Sequence, residues 1–317
     1  MDNLNSKLYK SLYLIRKAED KIIAHYNEDE MKTPMHMSMG AEAIASGVCA
    51  ALKEKDQVFG TYRSHAIYLA KTGDIDNFFA EMYGKETSLL KGKGGSMHLC
   101  APDSGFMGTS AIVGSAIPVA VGAAFANKRE ENGKNVAVFF GDGATDEGVF
   151  WESLNIACFM KLPILFICED NELAVHTPVS QRHGYDSLTE IVSKFNCRVF
   201  KEKSTDVEII YKLSRKAIDL MEEKSMPCFL HLKYYRYLEH VGINKDFDAG
   251  YRSKNDFDKW YKADPIKLQR DKLVRNGFKE DKITSIETEI NSKINEAVAK
   301  AKKATFTGES ELYEGVF

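Results

Sequence analysis

Three acids crowd into eight residues, Gly141-Asp142-Gly143-Ala144-Thr145-Asp146-Glu147-Gly148, directly after the apolar run Val136–Phe140. The carboxyl end of a strand is where an open α/β sheet places its ligands, yet acids repel a phosphate unless a cation stands between them. Magnesium meets that need, because it takes oxygen ligands and commonly bridges one or two protein groups to a substrate phosphate. Asp142 offers a carboxylate. A second apolar run, Ile164–Cys168, leads into Glu169-Asp170-Asn171-Glu172-Leu173, where Asn171 offers an amide oxygen. The two positions lie 29 apart (171 minus 142), room for one helix and one strand, so neighbouring parallel strands would deliver both to the same edge. Gly141 and Gly143 let the backbone approach a phosphate, and the following helix presents free N–H groups to it. Separately, Gly-Asp-Gly is also a solvated turn and Glu-Asp-Asn a helix cap; together they are more specific.

The elements that must position these residues can be read around them. Leu8, Leu12, Ile15 and Ile22 recur at helical spacing and predict an amphipathic helix from about Leu4 to His25, within an N-terminal helical segment of about 4–29. Met35-His36-Met37-Ser38-Met39-Gly40 and Thr61-Tyr62-Arg63-Ser64-His65 are polar clusters between apolar segments, as ligand-facing loops often are, with a small-residue helix Ala41–Leu52 between them. The glycine density from Lys91 to Gly108 predicts a shaped loop with neither helix nor strand. Ile112 to Ala126, rich in Gly and Ala, reads as a buried helix suited to close backbone approach, with a subunit contact as one use. Cys228–Tyr234 and Arg198-Val199-Phe200 add two strands to the first pair. The fold class is therefore α/β, a mostly parallel sheet with helices on both faces. Beyond Asp264-Pro265-Ile266 the chain turns charged, giving a helical extension over about 265–317 with a peripheral helix over Ser285–Lys303. The whole, 1–317, reads as one α/β domain.

Composition excludes more than it assigns. A formal net charge of −3 with 28% charged residues gives no general attraction to nucleic acid or acidic lipid. Ala111–Asn127, the longest weakly polar stretch, is too short to span a membrane. The start, Met1-Asp2-Asn3-Leu4-Asn5-Ser6-Lys7, shows neither a secretory nor a transit pattern, so a cytoplasmic protein is expected. Six cysteines without a Cys-x-x-Cys pair read as reduced core residues.

Gly141-Asp142-Gly143 closing with Asp170-Asn171 resembles the thiamine diphosphate fingerprint, which begins Gly-Asp-Gly and ends in paired asparagines. Thr61-Tyr62-Arg63, Lys93-Gly94-Gly95-Ser96-Met97-His98, Ile112-Val113-Gly114, and Tyr235-Arg236-Tyr237 leading to His240 extend the likeness, in order, over nearly the whole chain. It is similar to the alpha subunit of the thiamine diphosphate-dependent first component of pyruvate and acetoin dehydrogenases, and the resemblance implies the thiamine diphosphate-binding fold. It further implies that Asp142, Asn171 and the backbone carbonyl of Leu173 ligate Mg2+, with Gly143 and Ala144 beside the diphosphate. Tyr62, Arg63 and His240 would contact the diphosphate end, as a guanidinium suits phosphate oxygens. Ala111 and Val113 would meet the aminopyrimidine, Val113 holding the cofactor bent, and His36 would face the substrate. His36 and His240 are thus the expected catalytic histidines, and His98 a structural one.

In that family the glutamate that activates the cofactor belongs to a beta subunit. An α2β2 heterotetramer is therefore expected, inactive as the alpha chain alone, acting on a 2-oxo acid or acyloin, with a lipoyl acyltransferase as a further partner. Three departures bear on the acceptor. Relatives read Gly-Gln-Glu-Ala where this chain has Gly40-Ala41-Glu42-Ala43, Asn where it has Asp170, and Gly-His-Ser where it has Glu239-His240-Val241. Two other readings follow: a carboligase or ketol-transfer enzyme with an aldehyde or sugar-like acceptor, and a cofactor-free structural subunit.

Overall fold

A computed structural model describes residues 3–315. The last two residues of the expected C-terminal extension, and the first two of the amino-terminal reading, lie outside them. Eight strands follow in chain order: β1 (Gln57–Thr61), β2 (Phe106–Ser110), β3 (Val136–Gly141), β4 (Ile164–Asp170), the two-residue β5 (Leu173–Ala174) and β6 (Thr177–Pro178), β7 (Arg198–Glu202) and β8 (Cys228–Lys233). Six of them form one sheet in the order β2-β1-β3-β4-β8-β7, every pair parallel. β5 and β6 make a separate antiparallel hairpin.

Helices occupy both faces, as the period-two alternation of the strands dictates. Ala137, Phe139, Leu165, Ile167 and Leu230 face a layer built from α1 (Leu4–Tyr26), α2 (Glu42–Ala51), α3 (His65–Thr72), α4 (Ile75–Met82) and helices from later in the chain. Val136, Val138, Phe140, Phe166 and Phe229 face the other layer, where α5 (Ala116–Arg129), α6 (Gly148–Phe159) and the short α7 (Leu188–Val192) pack. β3 and β4 lie at the centre and are almost wholly buried, each large side chain contributing about 2 kcal/mol. The first layer is completed by α8 (Val207–Lys224), α9 (Lys254–Tyr261), α10 (Pro265–Arg275) and α11 (Glu280–Lys303). Among the described residues no helix is long and apolar enough to cross a membrane, and all six cysteines are unpaired.

Two expectations need correction. The stretch to Gly108 does carry a strand: Phe106 is buried in the core and β2 pairs with β1, the register slipping so that Met107 bulges between Phe106 and Gly108. Pairing with a neighbour overrides glycine's weak strand propensity there. The Gly/Ala helix begins at Ala116, and only one face of it is buried; Val119 and Phe125 on the other face are exposed.

Candidate active site

The sheet order reverses between β1 and β3, since β2 follows β1 to one side and β3 starts the run to the other. Such a reversal opens a crevice at the carboxyl ends of the strands. Five adjacent strands deliver loops there: β1 leads to Tyr62 and Arg63, β2 to Ala111–Gly114, β3 to Asp142, β4 to Asn171, and β8 to Tyr234, Arg236 and His240. They surround a cleft of about 260 Å³ whose wall includes Tyr62, Arg63, Val113, Asp142, Gly143, Ala144, Asn171, Leu173 and His240. Two expected residues lie off that wall: Ala111, earlier in the Val113 loop, and His36, one ring behind it.

Asp142 opens a single 3-10 turn and is buried. Its Oδ1 accepts the Asn171 N–H at 3.3 Å, direct contact between the two loops that parallel pairing of β3 with β4 makes neighbours. Burial, and then the Asp170 carboxylate, push Asp142 up to about 7, while Arg182 pulls the other way. Arg182 pairs with Asp142 and, at 2.5 Å, with Asp146. This pocket of carboxylate thus calls for positive charge. Asn171 is oriented at both ends, Nδ2 donating to the Tyr234 hydroxyl at 2.9 Å and Oδ1 accepting the Leu173 N–H at 3.1 Å. Leu173 sits across the small hairpin from Pro178, which has no N–H to offer its carbonyl. Asp170 turns away, its carboxylate 2.8 Å from His231; burial raises it, but His231 and Lys233 outweigh burial and leave it lowered.

The opposite wall is cationic. Arg63 is 8% exposed and Arg236 is 2% exposed. Arg63 donates to the carbonyls of Met37 (2.8 Å) and His240 (2.7 Å), and Arg236 to Leu238 O (3.0 Å) and the Tyr251 hydroxyl (2.9 Å). Among the described residues neither has a carboxylate within hydrogen-bond distance; Asp246 stands 3.7 Å from Arg236. Arg236 shares Asp246 with Arg252, which stands closer to it, and Arg63 has no carboxylate partner among the described residues, so the wall keeps an excess of buried positive charge that suits an anion. Both also approach His240 Nδ1, at 3.3 and 3.4 Å. An arginine can only donate, so Nδ1 accepts and the proton sits on Nε2, making His240 a neutral donor in the cleft wall.

His36 is held just behind this wall because its segment is laced to the His240 loop. Tyr237 N–H donates to Met39 O at 3.1 Å and Gly242 N–H to Met35 O at 2.8 Å. The ring of His36 then lies 4.6 Å from that of Tyr62 and 5.4 Å from that of His240. His98 lies outside the cleft wall. Sequence reasoning assigned no role to Arg236, Glu169, Tyr234 or Arg182. Arg236 stood inside a motif, and an arginine in an otherwise aromatic run after a buried strand was the available signal. Glu169 lines the cleft and is pushed up to about 8 by burial, with Arg63 pulling it down.

Asp142, Asn171 and the Leu173 carbonyl are oxygen donors that could hold a hard cation on one side of the cleft, with two arginines and His240 on the other. Among the described residues no cluster of three or more His, Cys, Asp or Glu side chains could hold a metal by itself. One carboxylate with an amide and a carbonyl suits a magnesium ion that a phosphate helps to ligate. Pockets for molecules of cofactor size run about 300–1,000 Å³, so this cleft accommodates one end of such a molecule.

Residues 10–309 match the family described as the dehydrogenase E1 component. The alpha subunit of acetoin:2,6-dichlorophenolindophenol oxidoreductase from Bacillus subtilis is 32% identical, over 98% of this chain and 92% of its own. The pyruvate dehydrogenase E1 component alpha subunits of Rickettsia bellii and Zymomonas mobilis are 31% and 30% identical, each over 98% of this chain and over 95% and 87% of their own. With a cleft of this construction and a match across nearly its full length, the chain belongs to the dehydrogenase E1 component family.

Proposed function

We propose that the chain is the alpha subunit of a thiamine diphosphate-dependent 2-oxo acid or acetoin dehydrogenase. One observation carries the reading: the Asp142–Asn171 contact faces the buried guanidiniums of Arg63 and Arg236 across a single cleft. Asp142, Asn171 and the Leu173 carbonyl would hold Mg2+, whose charge serves the same carboxylate that Arg182 now meets. Arg63 and Arg236 would bind the phosphates, His240 would donate its Nε2–H to them, and Gly143 and Ala144 would line the phosphate end. When bound, the cofactor supplies the nucleophilic carbon that adds to the substrate carbonyl. His36, braced on Tyr62, would face that carbonyl, and Ala111 and Val113 would meet the aminopyrimidine. Buried Arg63, with no carboxylate partner among the described residues, speaks against a purely structural subunit.

The other end of the site needs a second chain. Val113 is 44% exposed, and the open face of α5 and α6 carries Val119, Phe125, Ile156 and Phe159, apolar surface of a kind that marks a protein interface. The beta subunit of an α2β2 assembly is the occupant we propose, and six unpaired cysteines suit a cytoplasmic setting. The purified chain by itself should then turn over no 2-oxo acid.

The acceptor has two readings: a lipoyl group on an acyltransferase, or an aldehyde or sugar-like molecule in a ketol transfer. The second draws on the segment after Tyr237. Glu239 N–H donates to Asn244 O and Glu239 Oε1 accepts the Asn244 N–H, both at 2.9 Å, while Arg252 donates to Leu238 O at 2.7 Å. This loop at the cleft mouth is fixed by its own bonds. Pyruvate with a redox dye, supplied to the reconstituted alpha–beta pair with and without added aldehyde, tests the proposal. Dye reduction without aldehyde supports the dehydrogenase; turnover only with aldehyde supports ketol transfer; turnover in neither would count against both.

A further inference from the structure

Most of the buried face of α1 is apolar, yet Glu19 sits in it fully enclosed. A carboxylate is expensive to bury unless its bonds replace water. Glu19 contributes little to holding its own helix, which is anchored through Tyr9 to Glu287 at 2.5 Å and through Arg16 to Glu42 at 2.6 Å and Asp264 at 3.0 Å. Its bonds go to the site loops instead. One oxygen, Oε1, accepts the Ser38 N–H at 2.6 Å and lies 3.0 Å from His65 Nδ1. His65 Nε2 lies 2.7 Å from Ser96 Oγ. Ser38 Oγ in turn accepts the Ala66 N–H at 3.3 Å.

We infer that Glu19 is a positioning residue, whose single carboxylate oxygen locks together the segment carrying His36, the loop carrying Tyr62 and Arg63, and the glycine-rich loop around Ser96. The order carboxylate, imidazole, hydroxyl is that of a nucleophilic triad, but Ser96 and His65 are both 0% exposed, so no substrate reaches the hydroxyl. What the chain of bonds does is mechanical. His36 lies two residues before Ser38, and Arg63 two residues before His65, so both site residues take their placement from groups that Glu19 holds. The glycine-rich loop is fixed from its far side by Glu81, which accepts the N–H groups of Gly94 at 2.7 Å and Gly95 at 2.8 Å, and Glu19 joins that rigid piece to the cleft. Its effect on cofactor binding rests on the reading that Arg63 meets the diphosphate.

The test uses the chain co-expressed with its beta subunit, and reads amide hydrogen exchange without cofactor and thiamine diphosphate affinity by calorimetry with Mg2+. In Glu19→Ala, exchange in segments 36–40, 62–66 and 95–98 should accelerate together, and the dissociation constant should rise, each by about tenfold or more, the equivalent of one lost charge-assisted hydrogen bond. Glu19→Gln keeps an oxygen that accepts the same donors and should restore both. Glu287→Ala, which frees α1 at its other end, should leave all three segments at the wild-type rate. Acceleration confined to 36–40, or a Gln variant as impaired as Ala, would overturn the inference. Should Glu19→Ala fail to fold, Ser96→Ala takes its place: faster exchange at 62–66 as well as 95–98 supports the linkage, and wild-type rates in both overturn it. Absence of cofactor binding in the wild-type pair would refute the diphosphate reading, while the exchange data would still decide the linkage.

Discussion

His36 and His240 are pushed down to about 3, first by burial and then by the Arg63 guanidinium, with His65 or Arg236 adding to it. A histidine depressed in this way contributes stability that is intact above its unfolded value of about 6.5 and is lost as pH falls from there toward about 3. Imidazole NMR on the cofactor-free protein should therefore show neither ring titrating between about pH 5 and 8, and Arg63→Met should bring both upward. A wild-type transition near pH 6.5 at either ring would contradict the geometry. Residue-scale legibility was uneven for a physical reason. Asp142 and Asn171 announce themselves because glycines and acids directly follow apolar strands. Arg182 stands 40 positions from Asp142, and nothing local marks it as the partner of a buried carboxylate. Glu169 likewise gains its meaning only from burial.

Among the elements, the loops bearing His36 and His240 meet so closely at Gly40 that a Cβ there would stand 1.9 Å from the Tyr235 carbonyl oxygen, at a φ of +101°. Gly40→Ala must move the backbone and should cost on the order of 3 kcal/mol, with activity lost as His36 shifts. Gly73, which ends α3 at a φ of +64°, has nothing within 4 Å of its Cβ position, so Gly73→Ala should cost only about 1–2 kcal/mol of backbone strain and spare activity. Thermal denaturation of the two variants checks the contrast; equal losses would remove the close approach as its cause. Of the strands that sequence predicted, β3, β4 and β8 contain apolar runs that survive in isolation, and β7 was read from the short apolar pair Val199-Phe200. β1 has the same kind of apolar pair, Val58-Phe59, but was missed because it runs straight through Gly60 into the polar cluster Thr61-Tyr62-Arg63, which reads as a loop, and β2 because a bulge and a glycine interrupt it. Both are strands by virtue of their neighbours.

Taken whole, the molecule carries a helical layer on each face of its sheet, and the α5–α6 layer leaves an apolar outer face exposed. Phe159 is 82% exposed at the end of α6, so Phe159→Glu should leave the chain folded while abolishing association with the beta subunit, as size-exclusion chromatography of the co-expressed pair would show. An undiminished complex would place the interface elsewhere. The parallel sheet with helices on both faces was readable from apolar runs separated by stretches long enough for helical crossovers, whereas an exposed apolar face is visible only once the fold shows which side of a Gly/Ala helix stays uncovered. That face is proposed to meet the beta subunit, and the proposal stands or falls with thiamine diphosphate binding at Asp142. Calorimetry of thiamine diphosphate with the alpha–beta pair tests it most directly. Binding should require Mg2+, vanish with a chelator, and vanish in Asp142→Ala. Binding indifferent to the chelator or to that substitution, or none in the wild type, would contradict it.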